Sequence, residues 1–474
     1  MPEPHPDRRV VACVDFGSTF TKAALVDVGT GELLASADHR TTIDTDVLDG
    51  WDACLAQLVA VDPRAAGAEV LACSSAGGGL RIAVVGNEAL VTAEAGRRVA
   101  LSSGGRVVHV ASGRLTRAGL HELRAARPDV VLLVGGTDGG NAEVLLACAT
   151  TLARARWRKP VVVAGNVDAQ PEVAALLEAS GTPHVLADNV VPQIGVLAPE
   201  PARAAIREMF LRHVIGGKHL SRRADPSTGT GAFLRMVRGA TPDVVLTAVE
   251  LLAGGLDGER PGAGDVVVVD VGGATTDVHS VIELDPEDAG LAREVVATVP
   301  VSRTVEGDLG MRWSAVHTVE EGLAAGLVED ADRMRAAAGV RRADPAFLPG
   351  SEAERHDDEA IATAAVGVAL RRHAGRSQVA YSSAGRVVER SGKDLREVDL
   401  LVGSGGVLRN NPDEVAERVL GSVTGEDVPG GWQLPRAPRT LVDHDYVLAA
   451  AGLLAPTHPE AAHALLARLR GATA

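Results

Sequence analysis

Two short stretches hold the residues most able to do chemistry, "DFGSTFTK" at 15–22 and "DVGGATTD" at 270–277. Each is an apolar strand that ends in an aspartate, turns through glycine and small hydroxyl residues, and leaves as a second strand. Glycine lets a backbone turn tightly and approach a ligand, while amides and Ser or Thr hydroxyls at such a tip donate to phosphate oxygens. An aspartate at the strand end can hold Mg²⁺ through its waters, because that ion keeps much of its hydration shell beside phosphates. Either tip alone is common turn chemistry. Two facing each other would grip a triphosphate from both sides.

Lys22 sits at the end of the first stretch in a chain where lysine is rare: Lys22, Lys159, Lys218 and Lys393 are the four lysines among 47 basic residues. A compact ammonium reaches a phosphate without a planar fork; the ordinary alternative is a strand lysine that snorkels to solvent. A third element, "LLVGSGGVLRNNP" at 400–412, is a strand running into a glycine turn. The flat face of a nucleoside could pack there against backbone, or the turn could be a plain strand-to-helix junction. The chain contains neither GxGxxG nor GxxxxGK[ST], so dinucleotide-fingerprint and phosphate-loop classes lose ground.

The elements that must position these residues follow from periodicity. Residues 10–16 and 20–28 read as strands, "GELLASADHRTT" as a third, and "DTDVLDGWDACLAQLVA" as a helix with Asp44 or Thr45 as N-cap. From about residue 105 the texture changes to strands at "RVVHVA", "DVVLLVGG", "KPVVVAGN" and "PHVLADN", with helices at 115–126, 141–157 and 170–180. That alternation predicts a parallel sheet with right-handed crossovers. A helix "DVVLTAVELLAGGL", the long strand pair around the second tip and a last apolar helix, "HDYVLAAAGLLA", complete the chain.

Composition narrows the function classes. With 474 residues, 46% hydrophobic and 23% charged, the chain suits a soluble protein of two to four domains. A formal charge of −15 and 2% aromatics argue against nucleic acid as a partner. Cys13, Cys54, Cys73 and Cys148 show no CxxC spacing and lie in or beside apolar segments, which predicts buried reduced thiols. No apolar run approaches the roughly 20 residues that cross a bilayer, and the start carries no h-region, so a cytoplasmic location without membrane partners is expected. The 14 histidines form no HExxH, HxH or Cys/His knuckle.

"DFGSTFTK", "LTAVELLAGGLDG" at 246–258, "DVGGATTD", "LLVGSGGVLRN" and "YVLAAAGLLA" at 446–455 occur in the order of the five nucleotide-site motifs of the actin, Hsp70 and sugar-kinase superfamily. They resemble phosphate-1, connect-1, phosphate-2, adenosine and connect-2. Within that superfamily the chain is most similar to the glutamate mutase L family. That resemblance rests on "CSSAGGGLRIAVVG" at 73–86, "LVGGTDGGNAEV" at 133–144, "VVVAGNVDAQPEV" at 161–173, "TGAFLRMV" at 230–237 and "RTVEGDLGMRWSA" at 303–315.

The resemblance implies an α/β fold, a two-lobed actin-like ATPase with duplicated ribonuclease H-like lobes and an inserted α/β subdomain. The expected division is residues 1–84 for the first part of lobe I, 85–240 for a Rossmann-like insert, 241–440 for lobe II and 441–474 for helices returning to lobe I. It implies ATP and Mg²⁺ as cofactors. Asp15 and Asp270 would place the metal and the attacking water, and Gly17, Ser18, Thr19 and Lys22 would hold terminal phosphates. Gly272, Gly273, Thr275 and Thr276 would form the opposing tip, with Gly403, Ser404, Gly405 and Gly406 lining the adenosine. Ala274 stands where many Hsp70-type relatives have a third glycine, which narrows the tip, and Glu250 is near connect-1 in an ambiguous register.

The implied function is an ATP-dependent reactivating factor for an adenosylcobalamin-dependent mutase of the glutamate mutase type. A small-molecule kinase of the same fold is the second reading; it requires a carboxylate at an acceptor hydroxyl, with Asp138 and Asp308 as candidates. An activase of 2-hydroxyacyl dehydratases fits poorly, because no cysteine follows Cys148. "GGTDGGN" around Asp138 is a candidate second ligand turn at a strand's carboxyl end, and the absence of a DxHxxG motif indicates that the chain does not itself hold B12.

Overall fold

The β-branched run Val10–Phe16 forms β1, buried along its whole length, and turns back as β2 (Phe20–Asp27) and β3 (Glu32–Arg40) in an antiparallel meander. The helix Val47–Val61 follows, its first turn capped by Asp46, whose carboxylate accepts from the Leu48 amide at 2.9 Å. The cap therefore lies one or two residues beyond the Asp44 or Thr45 that the sequence favoured. β4 (Glu69–Ser74) then runs parallel to β1. The computed structural model describes residues 10–76, 80–89, 91–103, 105–217, 219–224, 231–283, 299–382, 385–426 and 428–471.

Among these residues, one compact unit takes in those up to Ala76 together with 244–283 and those from Pro300 onward; a second is built from the residues between Ala76 and Val244. The second unit is a parallel sheet of β5 (Leu80–Gly86), β6 (Gly105–Ser112), β7 (Val130–Leu133), β8 (Val161–Val163) and β9 (His184–Leu186), in the spatial order β6-β5-β7-β8-β9. The helices Arg117–Ala125, Glu143–Arg154 and Gln170–Ser180 alternate with its strands, as the sequence predicts. β5 is an interior strand of that sheet, paired with both β6 and β7, so the second unit takes in residues before 85. A short strand β10 (Val237–Ala240) precedes the helix Thr241–Gly254.

The first unit then repeats its opening. β11 (Val266–Val271), β12 (Thr276–Val281) and β13 (Val301–Glu306) form a second antiparallel meander. A separate hairpin of β14 (Arg376–Ser382) and β15 (Gly385–Ser391) intervenes. β16 (Leu400–Ser404) runs parallel to β11, and β17 (Arg439–Val442) parallel to β16. A three-stranded meander continued by parallel strands, present twice, is the duplicated ribonuclease H-like arrangement of the actin-like fold.

The two copies share one apolar core. Val11 and Cys13 of β1, Val266 and Val268 of β11, and Leu400 and Val402 of β16 pack with the helices Thr241–Gly254 and Val447–Leu454. A second cluster covers the other face of the later sheet and is closed by the long helix Glu352–His373. That helix starts at a reciprocal capping box of Ser351 and Glu354. All four cysteines are buried and free. Among the described residues no helix is long and apolar enough to cross a membrane.

Two histidines beneath the second tip are held neutral. His279 on β12 and His373 at the end of the long helix are buried, and desolvation pushes both well below the usual histidine range, with Arg303 and Lys393 respectively adding repulsion. Their unfolded forms take up protons below about pH 6.5 and the folded forms do not, so their contribution to stability is lost as pH falls through that value. Replacing His279 by Gln should flatten the acid-side fall of the unfolding free energy by about 1.4 kcal/mol per pH unit, read by urea titration between pH 7.5 and 5. An unchanged slope would show that His279 is not held neutral.

Candidate functional site

Both tips are built the same way. In the first, the Gly17 amide donates to the Phe20 carbonyl at 3.1 Å; in the second, the Gly272 amide donates to the Thr275 carbonyl at 2.8 Å. A Cβ on Gly17 would stand 2.6 Å from the Phe20 carbonyl oxygen and one on Gly272 would stand 2.9 Å from that of Thr275, so both turns exclude a side chain there. The strand register sets Asp15 opposite Lys22 in the first copy and Asp270 opposite Asp277 in the second.

The tips face each other. A Cβ on Gly273 would lie 2.7 Å from Thr19 Oγ1, which places the hydroxyl of one tip directly against the backbone of the other. Thr19 Oγ1 is buried without a hydrogen-bond partner, as is Thr276 Oγ1 on β12. Ser18 donates to the Ser75 carbonyl at 3.4 Å, and the Thr41 hydroxyl donates to the Gly17 carbonyl at 2.8 Å. The second tip is braced from behind: the Met311 amide donates to Gly272 O, those of Arg312 and Trp313 to Gly273 O, and the Ser314 hydroxyl to Ala274 O. This brace is the "DLGMRWSA" segment, whose role the sequence did not disclose.

Asp15, Lys22 and Asp270 lie within electrostatic reach of one another. Burial lowers the Lys22 ammonium from its ordinary value, against the opposing pull of Asp270 and Asp15. Burial raises the Asp270 carboxyl, with Lys22 pulling it down and Asp15 pushing it up. The Ser404 hydroxyl hydrogen-bonds to Asp270, its register partner across β11 and β16. Asp443 is raised to about 6 by burial, although it accepts from the Val447 and Leu448 amides at 2.8 and 3.1 Å and so caps the helix Val447–Leu454.

The residues expected to line an adenosine divide. Gly403 faces the core, where a Cβ would meet Leu408 and Leu420 at 2.9 Å. Gly405 has φ 99° and its missing Cβ would overlap the Val271 carbonyl, so it lets the turn close onto the end of β11. Gly406 begins the short helix Gly406–Arg409, and a Cβ there would make only an ordinary contact, 3.7 Å from the Asn410 side-chain nitrogen. Of the kinase candidates, Asp138 accepts from the Val167 amide and the Asn189 side chain at 3.1 and 2.8 Å, and Asp308 is paired with Arg372 at 3.0 Å. Glu250 is half-buried on the helix Thr241–Gly254.

Tyr446, to which the sequence pattern gives no role, sits at the centre of the site. Its hydroxyl donates to Asp15 Oδ2 at 2.9 Å, the Lys22 ammonium lies 3.4 Å from its ring centroid, and Arg409 approaches the same ring at 5.5 Å. Its backbone is left-handed, φ 56° and ψ 42°, at the start of the helix Val447–Leu454. The cavity left beside Asp15, Lys22 and Tyr446 is about 30 Å³, room for one or two waters. A single aromatic in a chain of low aromatic content was the available signal.

The donor set suits Mg²⁺. Two electrostatically coupled carboxylates at strand ends, Asp15 and Asp270, fit an ion that retains most of its waters. The unpartnered Thr19 hydroxyl and the Lys22 ammonium add donors for phosphate oxygens.

Gly273→Ala should weaken Mg·ATP binding by at least about tenfold by forcing the tips apart, and Thr19→Ala in the same chain should recover part of it, because the obstructing atom is gone although its phosphate contact goes with it. Titration calorimetry on the single and double variants decides this; no recovery would mean that the tips do not meet through Thr19. Tyr446→Phe keeps the ring and removes one charge-assisted hydrogen bond to Asp15, so Mg·ATP should bind roughly tenfold more tightly. Weaker binding would instead make the hydroxyl a nucleotide contact.

The family model described as "MutL protein" matches residues 11–469. Protein MutL of Clostridium tetanomorphum is 37% identical over 461 residues, covering 95% of this chain and 96% of that protein. Among solved structures, the ethanolamine utilization protein EutJ of Carboxydothermus hydrogenoformans is 11% identical, with 98% of this chain and 91% of that one covered and a TM-score of 0.26. The activator of the 2-hydroxyisocaproyl-CoA dehydratase of Clostridium difficile, with bound ADPNP, is 11% identical with 95% of each chain covered and a TM-score of 0.30. A glycerol dehydratase reactivase is 12% identical, covering 95% of this chain and all of that one, with a TM-score of 0.32. Overlaps this loose bear on nothing below. The match along almost the whole chain, with the identity to a protein of nearly equal extent, places this chain in the MutL protein family, the glutamate mutase L family of its sequence motifs.

Proposed function

We propose that this protein is an ATP-driven reactivating factor for an adenosylcobalamin-dependent mutase of the glutamate mutase type, and that its nucleotide state governs release of damaged cobalamin from that partner. The observation that carries the nucleotide part is the direct apposition of the two tips, Thr19 against Gly273, with Asp15, Lys22 and Asp270 behind them. The client is inferred from membership in the MutL protein family.

Bound Mg²⁺ would neutralise the phosphate charge and orient the terminal phosphoryl group. Asp15 and Asp270 are the residues that would hold it, through water. Lys22 would contribute its ammonium to a terminal phosphate oxygen, and the amides of both tips with the Thr19 hydroxyl would complete the cradle. Tyr446 gives up its hydrogen bond to Asp15 and its hold on Lys22 when these groups turn to a ligand. Energy for partner release would come from a difference in the partner's affinity for the two nucleotide states.

The kinase reading would rest on Asp138 or Asp308. Each has a structural role in this fold: Asp308 pairs with Arg372, and Asp138 Oδ1 ties its turn to Val167 and Asn189.

The test uses glutamate mutase inactivated with hydroxocobalamin, supplied with free adenosylcobalamin and this protein. Mg·ATP should restore mutase activity, no restoration should occur without nucleotide, and Asp270→Ala should lose the effect. Absence of recovery despite measured ATP binding would remove glutamate mutase as the client; recovery by the Asp270→Ala variant would remove the proposed site.

A further inference from the structure

In the second unit a hollow of about 630 Å³ opens at the amino ends of β5, β7 and β8, the end of the sheet opposite the GGTDGGN turn. Six of its nine lining residues are cationic, in a chain whose formal charge is −15. Two of them serve the fold. Arg81 donates to the carbonyls of Arg127 and Ala126 at 3.0 and 2.7 Å, and Arg124 donates to that of Ala155 at 3.1 Å, satisfying carbonyls beyond two helix ends. The one acidic lining residue, Asp129, accepts from the Arg81 amide at 3.0 Å.

The other four, Arg127, Arg156, Arg158 and Lys159, do no such work. All are exposed, and among the described residues none has a hydrogen bond or ion pair from its side chain. Two of them are kept at a backbone cost. Arg127 and Arg156 have φ 46° and 48°, just past the ends of the helices Arg117–Ala125 and Glu143–Arg154. Glycine is the residue that takes this conformation without strain, and the chain places Gly181, φ 70°, after the next helix, Gln170–Ser180. Arginine at both positions converges charge on the hollow. Trp157, 5% exposed, also lines it, and its indole N–H has no acceptor.

The geometry points to a binding site for a small ligand carrying two or more phosphate groups. A hollow of this volume suits a molecule of nucleotide size. Guanidinium forks match phosphate oxygens in pairs, and a concave cationic wall concentrates its field on an anion. An acidic protein segment would be better served by an open stripe of cations than by cations converging on one hollow.

The probe is inorganic tripolyphosphate, titrated calorimetrically at physiological ionic strength into the full chain carrying Lys22→Ala, so that the tip site contributes little. Saturable binding of one equivalent is expected. Arg127→Gly and Arg156→Gly should each weaken it by about tenfold, since each removes one fork, while Tm stays equal or rises because glycine relieves the left-handed backbone. Arg158→Glu with Lys159→Glu should abolish it. Unchanged affinity in these variants, non-saturable uptake that added salt removes, or tighter binding of a poly-glutamate of matched charge would each overturn the assignment.

Discussion

Two carboxylates and one ammonium share a space from which water is largely excluded, and much of the surrounding architecture follows from keeping them together there. Burial alone pushes Asp270 up and Lys22 down, so each charge survives through its neighbours. Ser404 stabilises one carboxylate, while the Tyr446 hydroxyl and the Cys73 thiol, 3.6 Å from Asp15 Oδ1, reach the other. Asp15 and Asp270 end strands that lie 255 positions apart in the chain, so the shared core of β1, β11, β16 and two helices is what holds them in register.

The duplication explains why this is one site and not two. Each copy offers an aspartate, a glycine turn and a facing position on the return strand. In the first copy that facing residue is Lys22; in the second it is Asp277. Asp277 is buried near Arg303, 3.8 Å away, and desolvation raises its carboxyl to about 7. The second copy's charge is thus spent inside its own sheet, leaving the cation to the first. On the proposed function, a ligand with several negative charges would be gripped asymmetrically, by an ammonium on one side and by turn amides on the other.

Much of this was legible in the sequence because it is local. The tips announce themselves as aspartate and glycine at fixed spacing between β-branched strands, and the alternating units of the insert follow from strand and helix periodicity. What escaped notice was nonlocal. Tyr446 acts on Asp15 across 431 positions and leaves no periodic trace. The brace from Met311 to Trp313 works through backbone amides, which carry no residue signature. The insert's first strand was missed because "LRIAVVG" follows a glycine run and carries no crossover helix before it. Ser404 and Gly403 lie in a glycine-rich stretch whose residues alternate between the carboxylate and the core, and composition alone does not say which faces which.

The C-terminal segment links the charges to the core. Asp443 caps the helix Val447–Leu454, and Tyr446 enters that helix through a left-handed backbone, a conformation that costs a non-glycine residue free energy and persists only where its surroundings hold it. What holds it here is the ring on Lys22 and the hydroxyl on Asp15. Any anion or metal that competes for those two groups removes the support for that conformation, and the helix it begins is buried against both sheets. On the proposed function, occupancy of the charged space would therefore reach the core through Tyr446.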